Sequence, residues 1–232
     1  MLMGPQNLPE QLRIVRERIA AAARAARRNV DSVTLLAVGK GQPANTMRAA
    51  AQLGVRDFGE SYVQEALQKL EALRDLALTW HFVGRLQANK TRAVAASFDW
   101  VHGIDRLKIA ERLSEQRPFH AAPLNVCLQM NIGGEASKGG VAAAELPALA
   151  AAVAALPRLK LRGLMCIPPD EPEPARQRAS FASLRGALER LNATGAHLDT
   201  LSMGMSGDFE SAILEGATIV RIGTALFGPR PR

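Results

Sequence analysis

The sequence predicts an α/β fold, a closed single-domain (β/α)8 barrel of TIM type with one extra N-terminal helix, and three observations predict it. Eight short β-branched or apolar runs recur, at residues 33–39, 55–59, 79–84, 100–104, 124–131, 161–167, 197–203 and 217–223. Helix-like stretches rich in Ala and Leu separate them, at 45–53, 63–73, 90–96, 106–115, 142–156, 175–192 and 207–215. This alternation calls for parallel strands joined by crossover helices. The length of 232 residues fits eight such units, because a barrel of this kind typically takes about 250. The rival, a doubly wound open sheet, often carries a GxGxxG turn after its first strand. Here that turn reads "GKGQP" at 39–43, which has the wrong spacing.

Ahead of the barrel, residues 8–28 form an amphipathic helix. Leu8, Leu12, Val15 and Ile19 mark its apolar stripe, and Arg13, Arg16, Arg18, Arg24, Arg27 and Arg28 fall on its polar positions. It should pack outside or beneath the barrel proper, which spans 33–228 within one domain covering 1–232. No internal linker suggests a second domain. The glycine-rich stretch 133–140 leaves the fifth strand, and the proline-rich acidic stretch 168–174 leaves the sixth. Both belong on the face where barrels keep their functional loops.

Composition narrows the function classes. The chain is 47% hydrophobic, a figure that leans on alanine, and no apolar run approaches the roughly 20 residues of a membrane span. Residues 1–7 lack the basic and apolar regions of a secretory signal, so a cytoplasmic location is expected. The net charge of +7 would suit a nucleic-acid binder. Its arginines are dispersed, however, and aromatic residues make up only 4% without interleaving with them. Nucleic acid is therefore excluded as a partner, and the basicity favours small anionic ligands. Cys127 and Cys166 sit in apolar runs and read as buried thiols. His81, His102, His120 and His197 show no metal-ligand spacing.

Three residue groups could carry chemistry. Lys40 ends the first strand at the barrel mouth, where partial desolvation would lower its pKa and free an amine for a carbonyl. Equally, it could snorkel from the rim to pair with Glu60. Opposite lie two glycine-bearing loops, "LSMGMSGDFESA" at 201–212 and "VRIGTALFG" at 220–228. Ser206 is expected as a helix N-cap, leaving N–H groups at Gly207 and Asp208 for an anion, with Gly223 and Thr224 adding a second approach. Loops after strands seven and eight are where barrels often hold phosphate. Asp208 and Glu210 oppose this unless they point outward. Arg221 faces inward from the eighth strand and needs an acceptor, either a core carboxylate or a ligand's ring nitrogen or phosphate.

Lysine, phosphate cradle and inward arginine together describe a pyridoxal 5′-phosphate pocket, and here the sequence resembles a known family. The motifs "LLAVGK", "FGESYVQEA", "WHFVGRLQANK", "LQMNIGGEASKGG", "GLMCI" and "LSMGMSGDFESAI…GATIVRIGTALFG" resemble the pyridoxal phosphate homeostasis proteins (the proline-synthase co-transcribed type). These are single-domain relatives of the alanine racemase barrel, the type III fold of pyridoxal-phosphate proteins. The resemblance implies that Lys40 forms the Schiff base, that Ser206, Gly223 and Thr224 surround the phosphate, and that Arg221 lies beside the pyridine nitrogen. Ser61, Asn131, Met203 and Gly207 are further candidates near the cofactor. Two positions depart from the family pattern: Gly39 stands where a serine is customary, and Ser61 where an asparagine follows "GE".

Among the neighbours, His81 is expected as a hydrogen-bonded barrel residue, and Gln87, Asn89 and Lys90 as organisers and caps of the following helix. Met203, Met205 and Tyr62 are expected to pack. The resemblance also implies intracellular cofactor homeostasis without turnover, with apo-forms of pyridoxal-phosphate enzymes as possible recipients. An amino-acid racemase is the alternative. It needs acid/base groups on both faces of the cofactor, and the chain ends at Arg232 without the β-domain that supplies the second.

Overall fold

The computed structural model describes residues 7–135 and 138–229. The sequence-derived domain limits at 1–6 and 230–232 lie outside those residues, as do positions 136 and 137 of the loop after the fifth strand. Eight parallel strands close into a barrel in sequence order: β1 (Thr34–Val38), β2 (Asp57–Glu60), β3 (Thr79–Phe82), β4 (Trp100–Ile104), β5 (Leu124–Gln129), β6 (Leu159–Met165), β7 (Thr200–Ser202) and β8 (Ile219–Ile222). Closure is made by β8 on β1, in a register that sets Leu36 beside Arg221 and Ala37 beside Ile222. The helices are α1 (Leu8–Ala25), α2 (Ala44–Gln52), α3 (Val63–Ala72), α4 (Thr91–Ser97), α5 (Leu107–Gln116), α6 (Leu146–Ala154), α7 (Pro174–Ala193), α8 (Phe209–Leu214) and α9 (Thr224–Phe227).

The main apolar layer lies between strands and helices. Phe58, Trp80, Phe82, Val101, Val220 and Ile222 are buried with Met47, Phe98, Leu113, Phe181 and Phe209 from the helices. Phe82 meets Phe98 edge-on and Phe58 tilts against Trp80, which is how alternate residues of β2 and β3 spend their outward face. The barrel interior is different in kind. His102 of β4 bonds across it to Ser202 of β7, so polar side chains occupy space that branched aliphatic residues usually fill in such barrels.

Helix α1 buries Leu8, Leu12, Val15, Ile19, Ala22 and Ala23, the stripe read from the sequence. It lies outside the barrel against α8 and α9. Arg18 pairs with Glu210 at 2.6 Å and stacks over Phe209, while Arg28 donates to the carbonyls of Ile213 and Ala217. The arginine face is thus partly an adhesive for the last barrel units. Arg13, paired with Glu10 and Glu17, and the exposed Arg24 and Arg27 are solvated as expected.

Several boundaries move for local reasons. The seventh strand starts at Thr200 and not at 197, because His197 has φ +53, a left-handed conformation that no strand accepts. The sixth runs 159–165 rather than 161–167: Leu159 pairs with Leu124 below, and Pro168 follows above. Helix α6 begins at Leu146, not 142, with Pro147 in its first turn.

Candidate functional site

The C-terminal ends of the strands form the mouth, and the segment after β1 begins it. The Gly39 N–H donates to the carbonyl of Gly59, fixing the chain end, and half-buried Lys40 opens the turn that follows. Gly41, with φ +74, donates to Glu65 Oε1 at 2.6 Å, a left-handed turn that glycine takes without strain. Glu60, at the end of β2, is fully buried. Lys69 of α3 holds it: Nζ donates to Glu60 Oε1 at 2.8 Å, Glu65 Oε1 at 2.5 Å and the Gly39 carbonyl at 2.7 Å. Three acceptors use all three ammonium hydrogens. Glu60 Oε2 has no hydrogen-bond partner among the described residues. Burial pushes its carboxyl up to about 7, against the pull of Lys69 and a smaller one from Lys40.

Across the mouth, the loops after β7 and β8 are tied together. Ser206 Oγ accepts from the Ala225 N–H at 3.1 Å. Ser206 is therefore not the N-cap of α8, as the sequence suggested. Asp208 N donates to the Met205 carbonyl and Asp208 Oδ1 accepts from Met205 N–H at 2.6 Å, so a closed turn precedes the helix and delays it to Phe209. The two acids that opposed an anion site are occupied: Asp208 in this turn, Glu210 with Arg18. Burial raises the Asp208 carboxyl above its ordinary value. Gly207 is exposed, and a Cβ built there meets nothing within 4 Å. At Gly223 a Cβ would lie 3.3 Å from the Val38 carbonyl. The eighth-strand loop thus rests against the segment that ends in Gly39 and Lys40, and Thr224 follows at the start of α9.

Arg221 is 6% exposed and has no ion pair with a core carboxylate among the described residues. Its Nη1 donates to the Ser202 carbonyl at 2.7 Å and to Ser202 Oγ at 3.0 Å, and Nη2 donates to the Cys166 carbonyl at 2.8 Å. Burial lowers its pKa from the ordinary arginine value. From Ser202 the bonds continue. Its Oγ meets His102 Nδ1 at 2.7 Å, His102 Nε2 meets His81 Nδ1 at 2.9 Å, and His81 Nε2 meets Asp57 Oδ1 at 3.1 Å. His81 is the hydrogen-bonded barrel residue expected. Its pairing with His102 was hidden by their separation of 21 positions in the chain. Burial above all, with the charge of Arg221 adding to it, holds His102 well below the ordinary histidine value.

Asn131 donates to the Glu135 carbonyl at 3.1 Å. Other expectations are corrected. Gln87, Asn89 and Lys90 form one 3₁₀ turn before α4 without capping it through their side chains. Thr91 does the local bonding, to the Ala88 carbonyl and to Gln116. Met203 is buried as expected, whereas Met205 is 38% exposed and Tyr62 57% exposed. Tyr62 stands at the rim beside Ser61, on a cleft of about 730 Å³ that also takes in Gly84, Arg85, Lys90 and Arg106. A Cβ on Gly84 would lie 2.4 Å from the Ser61 carbonyl, so only glycine lets that wall close. Cys127 and Cys166 are buried free thiols, pushed up to about 12 by that burial. Among the described residues, no helix is long and apolar enough to cross a membrane.

Known proteins share the sequence and the fold of this chain. The family described as alanine racemase, N-terminal domain, matches residues 14–231. The pyridoxal phosphate homeostasis protein of Pseudomonas aeruginosa is 59% identical over 224 residues, which cover 97% of this chain and 96% of that protein. Its namesake in Escherichia coli K12 is 51% identical over 227 residues, 97% of each. The structure of PipY from Synechococcus elongatus, solved with PLP bound, superposes with a TM-score of 0.82 at 39% identity, covering 92% of this chain and 100% of that one. Alanine racemase from Corynebacterium glutamicum, at 22% identity and a TM-score of 0.67, shares the fold over 93% of this chain and 62% of its own. A lysine at the end of β1, two joined glycine loops opposite and an inward arginine thus sit in a chain that belongs to the pyridoxal phosphate homeostasis proteins, built on the alanine racemase N-terminal barrel.

Proposed function

We propose that this chain holds pyridoxal 5′-phosphate covalently at its barrel mouth through Lys40 and serves intracellular homeostasis of that cofactor without a turnover of its own. When bound, the cofactor supplies an aldehyde open to an amine and an electron-withdrawing ring. One observation carries the reading. The Gly223 loop rests on the segment leading to Lys40 and is bonded through Ala225 to Ser206, so amine and anion cradle belong to one rigid unit. Ser206, Gly207, Gly223 and Thr224 would take the phosphate with neutral donors, and Arg221 the ring nitrogen.

The residues also argue for holding rather than turnover. Arg221 can only donate, so it favours an unprotonated ring nitrogen and a weak electron sink. Racemisation needs a second acid/base group across the ring, and Tyr62 lies half-exposed at the rim. Relatives named for homeostasis support the carrier role, with transfer to apo-enzymes as its outlet.

The test is borohydride reduction of the protein incubated with the cofactor, followed by peptide mapping. The label should fall on Lys40, and L-alanine should not exchange its Cα hydrogen for deuterium at an enzymatic rate. Labelling at another lysine, or rapid exchange with inversion, overturns the proposal.

A further inference from the structure

The polar side chains crossing the barrel interior form one connected line from Arg221 at the mouth to Asp57 at the opposite end. Asp57 begins β2, its side chain is 29% exposed, and it borders a groove beneath α1. Between the two ends, Ser202 and His102 are fully buried and His81 is 1% exposed. The five residues come from five strands, β2, β3, β4, β7 and β8.

Hydrogen-bond chemistry fixes how protons can sit along this line. A carboxylate only accepts, so Asp57 must receive the proton on His81 Nε2. His102, held neutral by burial, carries one ring proton. Placed on Nε2, that proton goes to His81 Nδ1, and His102 Nδ1 then accepts from the Ser202 hydroxyl, whose oxygen accepts from Arg221. Every donor meets an acceptor and both rings stay neutral. Placed on Nδ1, it would force His81 to donate from both nitrogens, putting a buried imidazolium within two residues of a buried guanidinium. That arrangement gains an ion pair with Asp57 but buries a second cation on the line to Arg221, whose own charge opposes it.

We propose that Asp57, His81, His102 and Ser202 are positioning residues for Arg221, a one-way hydrogen-bond relay in which both histidines carry their proton on Nε2. Each link polarises the next, so the relay brings the counter-charge of a carboxylate to Arg221 without an ion pair at the mouth. Nη1 is held by Ser202 and one Nη2 hydrogen by Cys166, which leaves Nε–H and the other Nη2 hydrogen to meet a ligand. The consequence for pyridoxal phosphate rests on the function proposed above. Asp57, remote from the mouth, would tune how strongly Arg221 donates to the ring nitrogen.

The experiment has two readouts that fail separately. In the ¹⁵N-histidine protein without cofactor, long-range ¹H–¹⁵N spectra should show both rings as Nε2–H tautomers. Ser202→Ala should move the His102 resonances, and Asp57→Asn, which keeps an acceptor oxygen but loses the charge, should move both rings. An Nδ1–H tautomer at His102, or His102 resonances untouched by Asp57→Asn in a folded protein, overturns the relay. With pyridoxal phosphate bound, Asp57→Asn should shift the absorbance maximum in the direction Ser202→Ala does. Ring signals that respond while this maximum stays put overturn the link to the ring nitrogen and leave the relay standing. Absence of any bound chromophore in the wild-type protein overturns the function reading instead.

Discussion

The two sides of the mouth solve opposite electrostatic problems. On the β1–β2 side, four ionisable groups crowd one corner: Lys40, Glu60, Glu65 and Lys69. On the β7–β8 side, the ionisable groups are fewer: Arg221 is buried with carbonyls and a serine as its hydrogen-bond partners, and Asp208 is closed into its own turn beside the Ser206 and glycine loops. An amine that must lose a proton to react needs adjustable charge nearby. An anion that must be kept and later released needs donors of moderate strength. Under the function proposed above, covalent capture and ionic grip fall to separate corners and can be broken separately.

The largest effect should come from the charged corner. Lys40→Ala is expected to abolish the covalent chromophore while leaving loosely held, dialysable pyridoxal phosphate, because the β7–β8 side is untouched. An absorption spectrum before and after gel filtration checks this. An unchanged spectrum would place the reacting amine elsewhere.

Arg221→Lys comes next. Lysine keeps the charge but not the fork that serves Ser202 and Cys166 together. Hydrogen bonds to charged groups are typically worth about 1.5–3 kcal/mol, so retention should weaken about 10- to 100-fold, with the Lys40 linkage still formed. Arg24→Ala, on the outer helix, should change neither. Equal behaviour of the two variants in a dialysis assay would make Arg221 purely architectural.

This division was only partly readable from the chain. Lys40 and the glycine loops announce themselves because each ends an apolar run, and strand ends are where a barrel keeps its chemistry. Lys69 did not. On an amphipathic helix it looks like one more surface charge, and only closure of the barrel brings the Gly39 carbonyl and Glu60 onto it. The same holds for His81, His102, Ser202 and Arg221, which sit on β3, β4, β7 and β8. Alternation within a strand says that each faces inward, but the height at which they meet depends on strand register. Ser206 failed for a smaller reason, since a side-chain turn by Asp208 competes with the cap.

Glu60→Gln sharpens the comparison through pH. The Glu60 carboxyl rises from 4.5 to about 7 on folding, so the folded chain holds a proton that the unfolded chain has lost anywhere between those values. Its contribution is therefore full below pH 4.5 and declines as pH climbs to about 7. Glutamine keeps the acceptor oxygen for Lys69 and removes the titration. The wild-type Tm should fall relative to the variant's across that window, by an amount equivalent to a few kcal/mol at most. Parallel Tm profiles would show that Glu60 is charged throughout and its burial fully compensated.

Gly39→Ser is expected to give the smallest effect, and its size depends on one neighbour. Position 39 does not need glycine for its backbone, since its φ is outside the left-handed region. The obstacle is space: a Cβ there would lie 2.8 Å from Met47 Sδ and 2.9 Å from both Met47 Cε and Glu60 Oε1. Glu60 is pinned by Lys69, but a thioether end can swing aside. Overpacking typically costs about 1–3 kcal/mol, and the low end applies if Met47 yields, a Tm loss of about 2–4 °C for a chain of this size. Met47→Val removes both crowding atoms, so Gly39→Ser should cost much less in a Met47→Val background than in the wild type. If it does not, serine has displaced Glu60 instead, and the pH slope of the wild type should vanish in Gly39→Ser as it does in Glu60→Gln. Either result locates what glycine does here: it leaves room for a methionine, or it keeps a buried carboxyl in place near Lys40.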